Sequence, residues 1–199
     1  MGRINRTKLL DRQHDRRNAK LFIIATEGQH TERQYFHIFH STKIKVEVLC
    51  TKEDGKSAPQ HVLNRLNEFK ESYDLGAEDE LWLVTDVDRW GGENLSSVCR
   101  EARQKDYGLA ISNPCFEVWL CLHLQDLDPN DKTSQQFKSR LRKILGSYNA
   151  SNLDLEKYKH KINDATARSK SLDQESQQHW PNQIGTHVYR LVESILNSL

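Results

Sequence analysis

The chain has little of what would place it in several familiar classes. Of 199 residues only four are cysteine, Cys50, Cys99, Cys115 and Cys121, with no C-x-x-C pair and no H-x-x-x-H partner. That scatter excludes a zinc finger or a disulfide frame and reads as reduced, mostly buried thiols. No apolar run approaches the ~20 residues of a membrane span, and the N-terminus has no apolar signal core. The chain therefore reads as soluble and cytoplasmic. There is no G-x-x-x-x-G-K-[ST] phosphate loop, which argues against NTP hydrolysis by this chain. Internal repeats and low-complexity tracts are missing too.

Charge of one sign is also missing overall. Lysine and arginine number 29 against 28 acidic residues, a net charge of +1. The balance hides an uneven spread. Residues 3–20 carry Arg3, Arg6, Lys8, Arg12, Arg16, Arg17 and Lys20 against only Asp11 and Asp15. This basic arm, residues 1–19, is either a nucleic-acid contact or a solvated tail. With 36% hydrophobic and 29% charged residues, the remainder is polar but globular in composition.

The pattern beyond the arm is an alternation of strands and helices. Lys20 to Thr26 is a continuous apolar run rich in β-branched residues, as in a strand buried on both faces. A helix follows, with Thr31 and Gln34 spaced as in a capping box and Tyr35, Phe36, Ile38 and Phe39 as its apolar side. Ile44 to Cys50 alternates like a strand nearer an edge. Ser57 to Tyr73 reads as a helix, Glu80 to Thr85 as a strand, Asn94 to Lys105 as a helix and Tyr107 to Ser112 as a fourth strand. Asn113-Pro114 then breaks the chain before a helix over Cys115 to Leu124, with Phe116, Trp119, Leu120 and His123 on one side.

Such alternation describes βαβ units and a parallel sheet covered on both faces, an α/β fold over residues 20–125. From about Asp126 no strand is evident. Thr133 to Leu145, Leu153 to about Ser169, and Gly185 to Leu199 read as helices, with a polar loop over Ser169 to Asn182. Residues 126–199 are thus a helical region expected to pack on the core.

Three acidic residues fall where chemistry is expected. Glu27 follows the first strand, and Asp86 and Asp88 follow the third. The carboxyl ends of parallel strands form one rim, where ligands bind. If the two strands are neighbours, the three carboxylates converge and call for a cation. All-oxygen ligands with room for water suit Mg²⁺ or Mn²⁺ rather than zinc. Alternation along an extended segment turns Asp86 and Asp88 to the same side. Taken singly, each could be a turn former or a cap; together they make a metal site.

Around this trio stand residues with two readings each. Glu32, in the first turn of its helix, is explained by the helix dipole alone. Glu117 is either a further ligand or base on the same rim or a simple N-terminal charge. Arg89 either holds a scissile phosphate or neutralises the carboxylates. His30, at the rim, is a candidate acid or base. His37 and His40 read as surface or packing residues, and the four tryptophans form no stripe.

Three ordered motifs resemble the RloB-like family: Leu21 to Gly28 with Thr31-Glu32 and Tyr35-Phe36, then Asp86-Val87-Asp88-Arg89-Trp90, then Ser112 to Leu120. The resemblance continues to Pro181 to Leu196 and so covers nearly the whole chain. RloB-like proteins are similar to the Toprim group, whose pattern of a Glu after the first strand and a D-x-D after the third falls on Glu27, Asp86 and Asp88. The resemblance implies a Toprim-like, Rossmann-like fold and Mg²⁺- or Mn²⁺-dependent endonuclease chemistry on DNA or RNA, tRNA included. It also implies a role in bacterial defence against phage beside a separately encoded ATPase. In that reading Glu27 is a ligand or general base, Asp86 and Asp88 are ligands, and Arg89 and His30 contact phosphate. The alternative is a non-catalytic module that binds nucleic acid or a nucleotide and signals to the ATPase through its helical third. The oligomeric state stays open.

Overall fold

The computed structural model describes residues 3–5, 8, 19–51, 57–87 and 92–199. Asp88, Arg89, Trp90 and most of the basic arm lie outside the described residues. In chain order the strands are β1 (Ile4–Asn5), β2 (Lys20–Thr26), β3 (Ile44–Leu49), β4 (Tyr73–Asp74), β5 (Glu80–Asp86), β6 (Gly108–Asn113) and β7 (Gly185–Thr186). The helices are α1 (Thr31–Phe36), α2 (Pro59–Ser72), α3 (Gly92–Gln104), α4 (Glu117–Leu124), α5 (Ser134–Leu145), α6 (Glu156–Lys159), α7 (Ile162–Leu172) and α8 (Val188–Leu196). None of the helices is long and apolar enough, among the described residues, to cross a membrane.

The main sheet has the order β3-β2-β5-β6-β7. Its first four strands are parallel, and β7 closes the edge antiparallel to β6. The apolar run that begins the fold thus sits inside the sheet, as its unbroken hydrophobicity predicts, while the alternating β3 lies at the edge. Pleating sends neighbours to opposite faces. Phe22 and Ile24 join Val84 and Ala110 in one core with α1, α4, α5, α7 and α8. Leu21, Ile23 and Ala25 join Leu81, Leu83, Leu109 and Ile111 in a second core under α2 and α3. Each fully buried Val, Leu, Ile or Phe among them contributes roughly 1.5–3 kcal/mol.

Helix α4 lies within the helical layer, against α5 and α7. Its residues from Glu117 to His123 are all buried, which explains why its sequence has no polar face. Helix α5 carries a capping box. The Thr133 hydroxyl accepts from the Gln136 amide, and Gln136 Oε1 accepts from the Thr133 amide at 3.0 Å. Gly146, at φ 76°, ends α5 in the left-handed conformation that a side chain would resist.

Several sequence expectations are corrected. No capping box forms at α1: Thr31 Oγ1 donates to Ala150 O and Gln34 Nε2 to His30 O and Ala150 O. These side chains tie down a distant loop instead. The helix also stops at Phe36, because the next amides turn back three residues, His37 to Gln34 O and Ile38 to Tyr35 O. The single helix expected from Leu153 is two, α6 and α7, separated by a turn in which Lys161 N bonds Tyr158 O. A strand does occur after Asp126: β7 pairs Thr186 with Ser112 and Gly185 with Asn113. Two residues cannot display an alternating pattern, so the sequence carried no sign of it.

His123 links α4 to α1. Its Nδ1 lies 2.9 Å from Trp119 O and must donate, which leaves Nε2 to accept from the Tyr35 hydroxyl at 3.1 Å. Burial favours this neutral form and lowers the imidazole pKa to about 4. As pH falls below the ordinary value near 6.5, the unfolded chain takes up a proton that the folded chain refuses. The stabilisation by His123 is therefore present above pH 6.5 and lost progressively toward pH 4. His123→Gln is expected to cost about 1–3 kcal/mol at pH 7.5, and the gap from the unsubstituted chain should narrow at pH 4.5. Urea unfolding at the two pH values measures this; a gap that does not change would contradict the neutral assignment.

Candidate metal centre

The site is built by strand register. Thr26 pairs with Val84 across β2 and β5, and the pairing runs on as Glu27 N donates to Val84 O at 3.1 Å. Glu27 thereby arrives beside the end of β5. Its Oε2 accepts from Thr85 Oγ1 at 2.8 Å and from the Asp86 amide at 3.3 Å. The carboxylate of one strand end is thus held on the backbone of the next. Behind it, Arg65 of α2 donates to Thr26 O at 2.6 Å and fixes the turn. On the other side Asp86 pairs with Ser112 of β6, and Val87 N donates to Ser112 O.

These strand ends open into a cavity of about 180 Å³ whose lining includes Glu27, Glu32, Asp86, Glu117, Ser134 and Lys138. Glu27, Glu32 and Glu117 are all buried. Glu32 reaches the cavity from the first turn of α1, folded over Gly28. A β-carbon on Gly28 would stand 2.7 Å from the Glu32 carboxyl carbon, so a side chain there would displace the Glu32 carboxylate. Burial above all, then the Glu117 and Glu27 carboxylates, raise the Glu32 pKa to about 7, against the opposing pull of the Glu32 and Gly28 amides. The neighbouring Cys115 thiol is pushed far up by burial and by Glu117 and Asp86, so it stays protonated.

Glu117 begins α4 and is held from the helical region. Tyr148 donates its hydroxyl to Glu117 Oε1 at 3.0 Å, and Lys138 Nζ stands 3.7 Å from the same oxygen. Among the described residues Lys138 is the one cationic side chain lining the cavity.

Of the sequence candidates, Glu27, Asp86 and Glu117 come together here. Asp88 and Arg89 lie outside the described residues. His30 is exposed and does not line the cavity. Glu32, which a helix dipole explained on sequence grounds, faces the other carboxylates. Ser134, Lys138 and Tyr148 were not foreseen; they come from the helical region, and the only sequence sign was that α5 contains no acidic residue.

Among the described residues no group of three His, Cys, Asp or Glu side chains is arranged to enclose a metal ion. The donors nonetheless suit one class of ion. Mg²⁺ and Mn²⁺ take oxygen ligands, and Mg²⁺ typically uses one or two carboxylates and keeps several waters. Glu27 and Asp86 supply that pair, and the protonated Cys115 offers no thiolate to a softer metal.

The model of the RloB-like protein family matches residues 22–195. The chain belongs to the RloB-like family. The match takes in the second and third motifs whole, the first motif from Phe22 onward, α5, and α8 as far as Ile195. No curated protein and no solved structure matches the RloB-like chain.

The confined carboxylates make a prediction about stability. A raised carboxyl pKa means that the folded chain holds a proton the unfolded chain has released between pH 4.5 and about 7. Folding is therefore penalised increasingly as pH rises through that window. Glu32→Gln is expected to stabilise the metal-free protein by about 2 kcal/mol at pH 8 and to be nearly neutral at pH 4.5. Thermal melts in EDTA at both pH values test this, and equal effects at the two would contradict the raised pKa.

Proposed function

We propose that this RloB-like chain is a divalent-metal-dependent nuclease that cuts phosphodiester bonds in DNA or RNA. The observation that carries the reading is the seating of Glu27 on the Asp86 amide, which joins two strand-end carboxylates in one cavity with Glu32, Glu117 and Lys138. Carboxylates crowded in this way repel phosphate unless a cation lies between them. Glu27 and Asp86, with Asp88, would hold Mg²⁺ or Mn²⁺. When bound, such an ion polarises a phosphoryl oxygen and lowers the pKa of coordinated water.

The side chains supply the rest. Lys138 offsets charge on the phosphate, as a compact ammonium on a flexible stem. Glu32, titrating near neutrality, can accept a proton from attacking water. Thr85 fixes the orientation of Glu27, and Tyr148 that of Glu117. Arg89 is assigned a phosphate contact from its place beside the acidic pair. His30 receives no role. From its family resemblance the chain is further proposed to act in defence against phage, with a separately encoded ATPase as partner.

Asp86→Asn and Glu27→Gln should each lower cleavage roughly a thousand-fold, about 4 kcal/mol in the barrier, while leaving the far-ultraviolet spectrum unchanged. The assay offers single- and double-stranded DNA, tRNA and other RNA to the purified chain in Mg²⁺ or Mn²⁺. Full cleavage by either variant would sink the proposal. Binding without cutting by the unsubstituted chain would leave a nucleic-acid-binding module.

A further inference from the structure

Helix α5 contributes more than the wall of the cavity. Its sequence from Ser134 to Leu145 contains no acidic residue and four cations, Lys138, Arg140, Arg142 and Lys143. Arg140 is consumed in the fold, bound to Asp131 at 2.8 Å and to Asp128. Lys138 faces the carboxylate cavity. Arg142, one turn further on, is exposed and has no ion-pair partner among the described residues. Residues four apart lie on adjoining parts of one helix face, about 6 Å along the axis, the scale of a single nucleotide step.

Past the end of α5 the surface opens into a second cleft of about 320 Å³. Its lining includes Tyr148, Asn149, Asn152 and Lys157, with Asp154 as its one acidic residue. Tyr148 lines this cleft and is bonded through its hydroxyl to Glu117, which lines the first space. Lys157 is exposed, and its side chain has no ion-pair partner among the described residues. Helix α5 connects the two spaces, since Ser134 and Lys138 line the first and Leu145 lines the second.

We infer that Lys138, Arg142 and the Lys157 cleft form a track for the sugar-phosphate backbone of a polynucleotide leading out of the carboxylate cavity. The inference rests on the nuclease reading for what lies at the inner end of the track. It adds the substrate class: a strand extending at least a nucleotide beyond the reacting phosphate, in preference to a mononucleotide or a small phosphate ester. Cations placed along a backbone give affinity that falls with salt, because each contact releases counterions. Asn149 and Asn152 offer amide groups to sugar or base edges in the cleft.

The test uses the full chain and fluorescent 12-mer oligonucleotides, deoxy and ribo, with Ca²⁺ replacing Mg²⁺. Arg142→Ala combined with Lys157→Ala should weaken binding at least roughly ten-fold at moderate salt. It should also reduce the slope of log affinity against log salt by about 1.4, two contacts at ~0.7 each for single strands. A control pair on the opposite face of the sheet, Lys70→Ala with Arg100→Ala, should change neither. Hydrolysis of bis(p-nitrophenyl) phosphate in Mn²⁺ should be the same in the track variant as in the unsubstituted chain. A loss confined to one sugar type identifies the nucleic acid. The track is overturned by equal losses in both pairs, by no loss in the track pair, or by an unsubstituted chain that binds neither 12-mer. Selective loss of binding in a chain that cuts nothing would instead refute the nuclease reading and leave the track standing.

Discussion

Carboxylates drawn together out of water repel one another, and much of the upper rim of this sheet is shaped by that repulsion. Glu27 is held where it is by donors that compensate part of its burial, Thr85 Oγ1 and the Asp86 amide. Both come from the neighbouring strand, so the carboxylate reports the β2–β5 register directly. A slip of one residue would turn the side chains of the slipped strand to the other face. It would also remove Glu27 from the amide that seats it. The buried apolar strands beneath are what prevent the slip. Their core residues fit one register, and the acid at the end inherits its position.

The same repulsion accounts for how the helical region is used. Glu117 receives the Tyr148 hydroxyl and stands near Lys138, and both groups come from beyond residue 126. The loop that carries Tyr148 is in turn fastened to α1: Ala150 O accepts from Thr31 and Gln34, and Leu153 N donates to Gln34 Oε1 at 2.9 Å. The helix that delivers Glu32 therefore anchors the segment that steadies Glu117. Core and helical region meet in the site itself, which is a stronger coupling than packing alone provides.

Much of this was legible in the sequence, and the limits have physical causes. Four strands and the acids at two of their ends could be read because apolar runs bounded by polar residues are local signals. The edge position of β3 was legible in its alternation. Thr31 and Gln34 matched a capping box by spacing, yet spacing says nothing of the Ala150 carbonyl, more than a hundred residues away, that draws both side chains outward. The motif appears instead at Thr133 and Gln136. Glu32 looked like a first-turn charge because its burial depends on Gly28 and on strand neighbours. Lys138 and Tyr148 belong to segments with no local mark of chemistry, and only the chain's return over the rim brings them to Glu117. Two-residue β7 lies below the length at which a strand pattern can be seen.

In the proposed reading Glu27 and Asp86 form the seat of a hard divalent cation. Anomalous scattering from crystals soaked in Mn²⁺ tests it most directly. A single-site or paired manganese peak is expected in contact with the Glu27 and Asp86 carboxylates, and it should be lost in Asp86→Asn crystals grown under the same conditions. Saturating Mn²⁺ with no peak between these two side chains, or a peak that persists unchanged in the variant, would contradict it.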